Sequence, residues 1–491
     1  MTGLKEFLTP ANIIYLVYGL NIVIALGLIF IDKKTPTATL AWIMVMFLLP
    51  YAGLILYLIF SQNIARKKIY KISSETEATG SFLLNAQKQS IKDYINNSHN
   101  QVLHKWREMV MMNIDYSNSL LTYNSSVEVI CDGNEMFDKL CEIIKNAKYT
   151  IKMEYFILKD DYVGRKLIKL LTEKAAEGVK VRLLLDAMGS RGIGKLDLED
   201  FVKAGGQYAF FFKPKVRHLF INFNYRNHRK LVIVDNEYGY IGGYNIGKEY
   251  LGFKKKFGYW RDTMLLIKGN SLLTMNEQFY LDWFCANKED KNFNFIEHSV
   301  KYSYRENAGD IPIQIISSGP ESPKEEIKRG MMKMITGAKK QIYIQTPYLV
   351  PDETMIESIC IAARSGVDVR IMIPCMPDHP FVYRTTLYNA GRLISEGAKI
   401  YIYNKGFLHA KTMSVDGEVC TVGSANFDIR SFKLNFETNA FIYDGNITDK
   451  LDLEFKNDLQ YCSPYTAEDR AEIGIKERLL ESISRLLTEI L

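Results

Sequence analysis

Residues 228–245 read HRKLVIVDNEYGYIGGYN, and residues 409–426 read HAKTMSVDGEVCTVGSAN. The offsets agree throughout: His228, Lys230, Asp235, Gly242, Gly243 and Asn245 in the first copy, His409, Lys411, Asp416, Gly423, Ser424 and Asn426 in the second. Each copy contains a strand-like apolar run, residues 231–234 in one and 420–422 in the other. Two strand residues in an i, i+2 relation point to the same face, so each His and Lys project together. One such pair carries little information, because short motifs match by chance. Two copies with equal spacing through to the Asn imply a duplicated half-site. Brought together, the halves make one centre with two imidazoles, two ammoniums and two amides.

The repeat extends outward from the motif. EGVKVRLLL at 177–185 matches SGVDVRIMI at 365–373. In the first half the pattern predicts a strand at 127–130, a helix at 135–146, a strand at 149–158, a helix at 163–177 ended by Gly178, and a buried strand at 179–185. The second half predicts the same order: strand 311–316, helix 324–336, strand 341–350, helix 354–365 ended by Gly366, strand 367–373. The fold class is therefore α/β, with two similar domains, 125–302 and 310–491, related by a pseudo-twofold axis and joined near residues 303–310.

The paired motif suits phosphoryl chemistry. A phosphodiester is an anion with a poor leaving group, so it needs cations on its oxygens, a nucleophile and a proton donor. Imidazole supplies either of the last two near neutral pH. Lys230 and Lys411 supply the charge, and Asn245, Asn426 and Ser424 can donate hydrogen bonds to phosphoryl oxygens. Asp235 and Asp416 complete the motif, with turn capping or pairing to basic neighbours as the alternative role. Asp262 and Glu437 each follow a motif histidine by some thirty residues, and a carboxylate on one ring nitrogen would fix the tautomer. The phosphate-binding glycine loops and the serine-hydrolase elbow are absent in usable context.

At 491 residues the chain is long enough for about three units. A net charge of +6 suits an anionic surface without demanding nucleic acid. The seven cysteines show no CxxC spacing, which fits a reducing compartment and argues against disulfide or zinc frameworks. Residues 13–31 and 40–60 are apolar and close to the roughly 20 residues that span hydrocarbon. They are expected to form a two-helix transmembrane hairpin within an anchor of residues 1–62, followed by a polar connecting region at 63–124 whose helices lie near the membrane. Lys5, Arg66, Lys67, Lys68 and Lys71 would then share one face and Lys33 and Lys34 the other, which places the catalytic domains in the cytoplasm. At the C-terminus Ile475, Leu479, Ile483, Leu486, Leu487 and Ile490 have helical spacing, for which docking on the domain is the expected fate.

The two HxK motifs resemble those of the phospholipase D superfamily. The flanking segments, among them GGYNIGKEYLG, WRDT, QTPYLVPD and GSANFDIRSFKLNFE, resemble its bacterial cardiolipin synthase branch over nearly the whole chain. The resemblance implies transfer of a phosphatidyl group between two phosphatidylglycerol molecules in the membrane, giving cardiolipin and glycerol through a phosphohistidine, without metal or nucleotide cofactor. It implies His228 as nucleophile and His409 as acid and base, with the exchanged assignment open to sequence symmetry. The alternatives are hydrolysis to phosphatidic acid, transfer to another alcohol, a tethered nuclease, and an inactive lipid-binding scaffold. The lack of a dense basic stripe argues against nucleic acid.

Overall fold

The structure, a computed structural model, describes residues 10–30, 36–60, 88–195, 198–213, 224–287 and 308–488. His218, His298, the basic residues flanking the apolar segments and most of the join at 303–310 lie outside the described residues.

The first half carries β1 (Ser125–Ile130), β2 (Thr150–Tyr155), β3 (Lys180–Asp186), β4 (Gln207–Phe211), β5 (Arg226–Asn227), β6 (Leu231–Val234), β7 (Tyr238–Gly242), β8 (Tyr259–Arg261) and β9 (Met264–Gly269). The second carries β10 (Ile313–Ser318), β11 (Gln341–Gln345), β12 (Asp368–Pro374), β13 (Lys399–Tyr403), β14 (Gly406–Leu408), β15 (Thr412–Val415), β16 (Val419–Gly423), β17 (Asn435–Ile442) and β18 (Cys462–Tyr465). One sheet runs β1-β9-β7-β6-β2-β3-β4, and β10-β17-β16-β15-β11-β12-β13 repeats that order strand for strand, with β18 added at the edge. In each half the central strands pair in parallel across helical crossovers. Gly178 and Gly366, at φ of +90° and +89°, end the crossover helices where the repeat predicts them.

Two short strands leave their own halves. β5 pairs in parallel with β17, and β8 pairs in parallel with β14. Each leads directly into, or lies beside, a motif histidine. Between the sheets a shared core forms from Leu231, Ile233, Ile241 and Leu265 on one side and Ile315, Val422, Phe436 and Ala440 on the other. The two halves are thus one packed body, with the motif strands at its centre.

The connecting region is built into that body. Its helices Gln101–Lys105 and Arg107–Ser117 bury Leu103, Trp106, Val110 and Ile114 against Ile327, Met331 and Met334 of the second half. The helices of the connecting region form a docked pair, because these apolar side chains find a protein surface. The C-terminal helix Ile475–Thr488 also docks, but by its polar side. Glu481 and Ser484 are buried and Arg470 pairs with Glu481, whereas Ile475, Leu479 and Ile483 stay exposed. Of the apolar stripe expected to dock, Ile475, Leu479 and Ile483 are left outside, while Leu486, Leu487 and Ile490 lie outside the described side chains.

Near the N-terminus lie three helices, α1 (Pro10–Phe30), α2 (Pro36–Leu48) and α3 (Pro50–Phe60). Among the described residues no helix is long and apolar enough to cross a membrane. The second apolar stretch is two helices rather than one. Pro50 has no N–H and its ring crowds the carbonyl four residues back, which breaks the helix at Leu49.

Candidate active site

His228 follows β5, and its backbone N–H donates to Phe436 O at 2.9 Å. His409 follows β14, and its N–H donates to Arg261 O at 2.7 Å. Each histidine is therefore held by the backbone of the other half, and each reaches a carboxylate there. His228 Nδ1 lies 2.9 and 3.0 Å from the two oxygens of Glu437. His409 Nδ1 lies 2.5 Å from Asp262 Oδ2. The sequence spacing suggested that each acid orients the histidine preceding it; the structure exchanges the pairs. The reason is the strand swap: β8 runs beside β14 and delivers Asp262 to His409, while β5 runs beside β17 and delivers His228 to Glu437.

Both carboxylates are fully buried. Burial opposes their ionisation, yet the cations beside them hold both below the usual carboxylate range: Lys411 and His409 for Asp262, His228 and Lys230 for Glu437. An ionised carboxylate accepts a proton bond from Nδ1, which leaves the Nε2 lone pair free. Burial pulls the His228 imidazole down to about 4, Glu437 opposing and Lys230 reinforcing. Burial, with Lys411 beside it, also lowers His409. Burial brings Lys230 down to about 7 and Lys411 to about 8. Lys230 Nζ donates to His228 O at 2.6 Å, and Lys411 Nζ donates to His409 O. Lys230 feels Lys411, and both lysines feel Asp262 and Glu437, so the two motifs form one electrostatic unit.

Position 243/424 explains the asymmetry of the motif. A Cβ on Gly243 would sit 2.0 Å from Asp262 Oδ1, so the glycine makes room for that carboxylate. In the other half the longer Glu437 accepts a hydrogen bond from Ser424 Oγ at 2.5 Å and another from Asn435 Nδ2 at 3.2 Å. The Ser424 hydroxyl, expected on a phosphoryl oxygen, is spent on Glu437. Asn245 Oδ1 accepts from Ile157 N at 3.1 Å, while Asn426 Oδ1 is buried with no hydrogen-bond partner.

Asp235 and Asp416, which complete the motif, are turn residues. Asp235 has φ +52° and accepts from the backbone N–H groups of Lys148, Tyr149 and Thr150 at 2.7–2.8 Å. Asp416 has φ +59° and accepts from Lys339, Lys340 and Gln341. Each clamps the loop entering the central strand, at the far end of the motif strand from its histidine.

Aromatic rings close the sides. Phe156 meets His228 edge-on at 4.9 Å, and Trp260 lies 5.0 Å from His409. Tyr155, one residue before Phe156, is instead buried in the first-half core, and Tyr348 hydrogen-bonds Asp378. A cavity of ≈ 380 Å³ lined by Cys131, Tyr259, Arg261, Lys405 and Tyr461 opens on the other side of β8, and neither histidine lines it. Sequence reasoning missed Arg229, between His228 and Lys230. Its Nη1 binds both oxygens of Asp282 at 2.8 and 2.7 Å and its Nε donates to Thr438 Oγ1 at 2.9 Å. The available signal was a charged residue on the opposite face of a motif whose neighbouring strand is wholly apolar. Such a charge must find a buried partner.

Two similar α/β halves that share one histidine-lysine centre define a two-motif phosphoryl-transfer fold. The chain belongs to the family described as cardiolipin synthase, PLD-like domain, whose model matches residues 140–283 and 331–459. A second model, phospholipase D-nuclease N-terminal, matches residues 19–62. The chain is 42% identical to the major cardiolipin synthase ClsA of Bacillus subtilis (strain 168), covering 97% of this chain and 98% of that one. It is 41% identical to cardiolipin synthase 2 of Staphylococcus epidermidis (strain ATCC 12228 / FDA PCI 1200), covering 96% of each. The crystal structure of phosphatidylserine synthase from Haemophilus influenzae Rd KW20 shares the fold at TM-score 0.61 and 14% identity, covering 78% of this chain and all of that one.

Proposed function

We propose that this chain is a phosphatidyltransferase that joins two phosphatidylglycerol molecules into cardiolipin and releases glycerol, with His228 as nucleophile and His409 as acid and base. The observation that carries the reading is the crossed pair of histidine–carboxylate contacts between two lysines. The cardiolipin synthase relatives, similar over nearly the full length, support the substrate.

In the first step His228 Nε2 attacks phosphorus and the bond to the glycerol oxygen breaks. The protonated His409–Asp262 pair gives that oxygen its proton, and glycerol leaves. In the second step a headgroup hydroxyl of the other lipid loses its proton to His409 and attacks phosphorus. The P–N bond breaks, and the electron pair returns to His228. Lys230, Lys411, Asn245 and Asn426 hold the phosphoryl oxygens, while Glu437 keeps the His228 proton on Nδ1. Phe156 and Trp260 shield the phosphohistidine from water, which favours transfer over hydrolysis.

The same reading attaches the chain to the membrane through residues 10–60 and sets the catalytic halves at the cytoplasmic face, where lipid hydroxyls are concentrated. The test is product analysis in phosphatidylglycerol vesicles. Wild type is expected to give cardiolipin and glycerol, and His228→Ala and His409→Ala neither. Phosphatidic acid as the main product would replace the transferase with a hydrolase. A phosphatidyl ester of a good leaving group, which needs no acid, separates the roles. His409→Ala should trap a phosphohistidine and His228→Ala should not; the reverse would exchange the assignments.

A further inference from the structure

The second apolar stretch holds more sequence than is needed to cross a bilayer, yet it does not run straight. In one continuous helix Trp42 and Tyr57 would stand roughly 22 Å apart along the axis. Their rings instead meet edge-on with centroids 5.5 Å apart. A Cβ on Gly53 would lie 2.6 Å from Val45 O, so α2 and α3 touch backbone to backbone as the two arms of a hairpin. Pro50 makes the tip. It leaves Met46 O without its helical donor, and fully buried Asn21 supplies one: its Nδ2 lies 3.0 Å from Met46 O and 3.3 Å from Pro50 O. Asn21 stands near the middle of α1, so the tip of the hairpin lies at the mid-height of that helix. Trp42 and Met46 pack with Ala25, toward the Phe30 end.

We infer that residues 36–60 form a re-entrant hairpin that enters hydrocarbon to half its depth and returns to the side it came from, leaving the apolar stretch of residues 13–31 as the segment that crosses. The inference rests on the membrane attachment proposed above. Lengths agree. At 1.5 Å per residue α1 is roughly 31 Å long, and the arms are roughly 20 and 16 Å, against hydrocarbon about 30 Å thick. The occupant of the outer surface is lipid hydrocarbon. No charge occurs between residues 36 and 60, and Leu40, Met44, Leu48 and Leu49 are exposed around the arms and tip. Among the described residues Asn21 is the buried polar side chain between these helices; its Nδ2 serves the carbonyl freed by Pro50, while its Oδ1 has no hydrogen-bond partner.

The flanking charges give independent support. With two crossings, Lys33 and Lys34 would face outward, against the rule that Lys and Arg gather on the cytoplasmic side. With a re-entrant hairpin, Lys33, Lys34, Arg66, Lys67, Lys68 and Lys71 all fall on the catalytic side, and Lys5 alone on the other. The N-terminus and the catalytic halves then lie on opposite faces.

The test introduces Thr2→Cys, Thr35→Cys and Ser61→Cys one at a time in the full chain. Inverted and right-side-out vesicles are treated with a membrane-impermeant maleimide, and labelled sites are located by peptide mass spectrometry. The native cysteines, all beyond residue 130, mark the catalytic face. The expected result labels positions 35 and 61 from the catalytic face and position 2 from the opposite one. Positions 2 and 61 on the catalytic face with 35 opposite would establish two crossings and overturn the inference while leaving the attachment intact. All three on one face would remove the crossing helix. Release of the chain by alkaline carbonate would refute the attachment itself.

Discussion

At the scale of single residues, the site consists of groups whose roles follow from what each touches. Glu437 binds His228 with both oxygens, so Glu437→Gln keeps the shape but offers an amide in place of an acceptor-only carboxylate. By analogy with other carboxylate–histidine pairs, kcat should fall about 10²- to 10⁴-fold with KM little changed. Gly243→Ala drives a methyl into Asp262 and should cost roughly 10²-fold in kcat, since about an ångström of displacement at a reacting group has that effect. Asp235→Ala separates the capping role from a catalytic one. It orphans three backbone N–H groups, so the melting temperature should fall, with kcat per folded molecule retained. A kcat loss comparable to that of His228→Ala would return Asp235 to the chemistry. The pH profile follows from burial. His228 titrates near 4 and must be neutral to attack, so kcat/KM for the free enzyme should fall on the acid side as pH drops toward that value. His409 must carry a proton to act as the acid, and burial with Lys411 beside it lowers its affinity, so kcat/KM should begin to fall on the alkaline side already below the ordinary imidazole range; it should fall further as Lys230 near 7 and Lys411 near 8 lose the charge that holds phosphate. Bound phosphate anion favours the charged lysines, so the alkaline limb of kcat should lie higher. Vesicle assays across pH read both limbs.

Among the elements, the short strands matter most. β5 and β8 are too brief to stabilise a sheet edge, yet each exchange places one imidazole on a carboxylate of the other half. Arg229 ties the same junction together through Asp282 and Thr438. Removing its charge strands Asp282 in a dry interior, so Arg229→Met should destabilise the fold by about 3–5 kcal/mol. Denaturant unfolding measures it, and a change below about 1 kcal/mol would show the pair to be dispensable. The repeat, the crossover helices and their glycine ends were legible in the sequence because period-2 and period-3.6 patterns are local properties. The strand exchange was not legible, since two or three residues carry no periodicity and their partners lie some 150 to 200 positions away.

Over the whole molecule, a shared core fuses the halves, with strands β6, β7 and β9 facing β10, β16 and β17. Neither half has a complete histidine–carboxylate pair of its own. Calorimetry should therefore show the two catalytic halves melting in one transition, with activity lost in the same temperature range. Two separated transitions would mean the shared core is too weak to couple them. The helices at 101–117 pack against the second half although they precede the first, so the chain reaches across the body before the first repeat begins.

By itself the sequence determined the α/β class and the duplication, and it singled out the two histidines, lysines and asparagines of the motif and Asp262 and Glu437 as candidate partners of the imidazoles. Motif spacing and strand alternation are written into adjacent residues, and equal offsets in two copies leave little to chance. Only the tertiary structure decided which acid serves which histidine, that Ser424 supports Glu437, that Asp235 and Asp416 clamp loops, and that residues 36–60 fold back on themselves. Each of those depends on which backbone lies beside which. The same burial that sets those neighbours also lowers the histidine and lysine proton affinities that the chemistry uses.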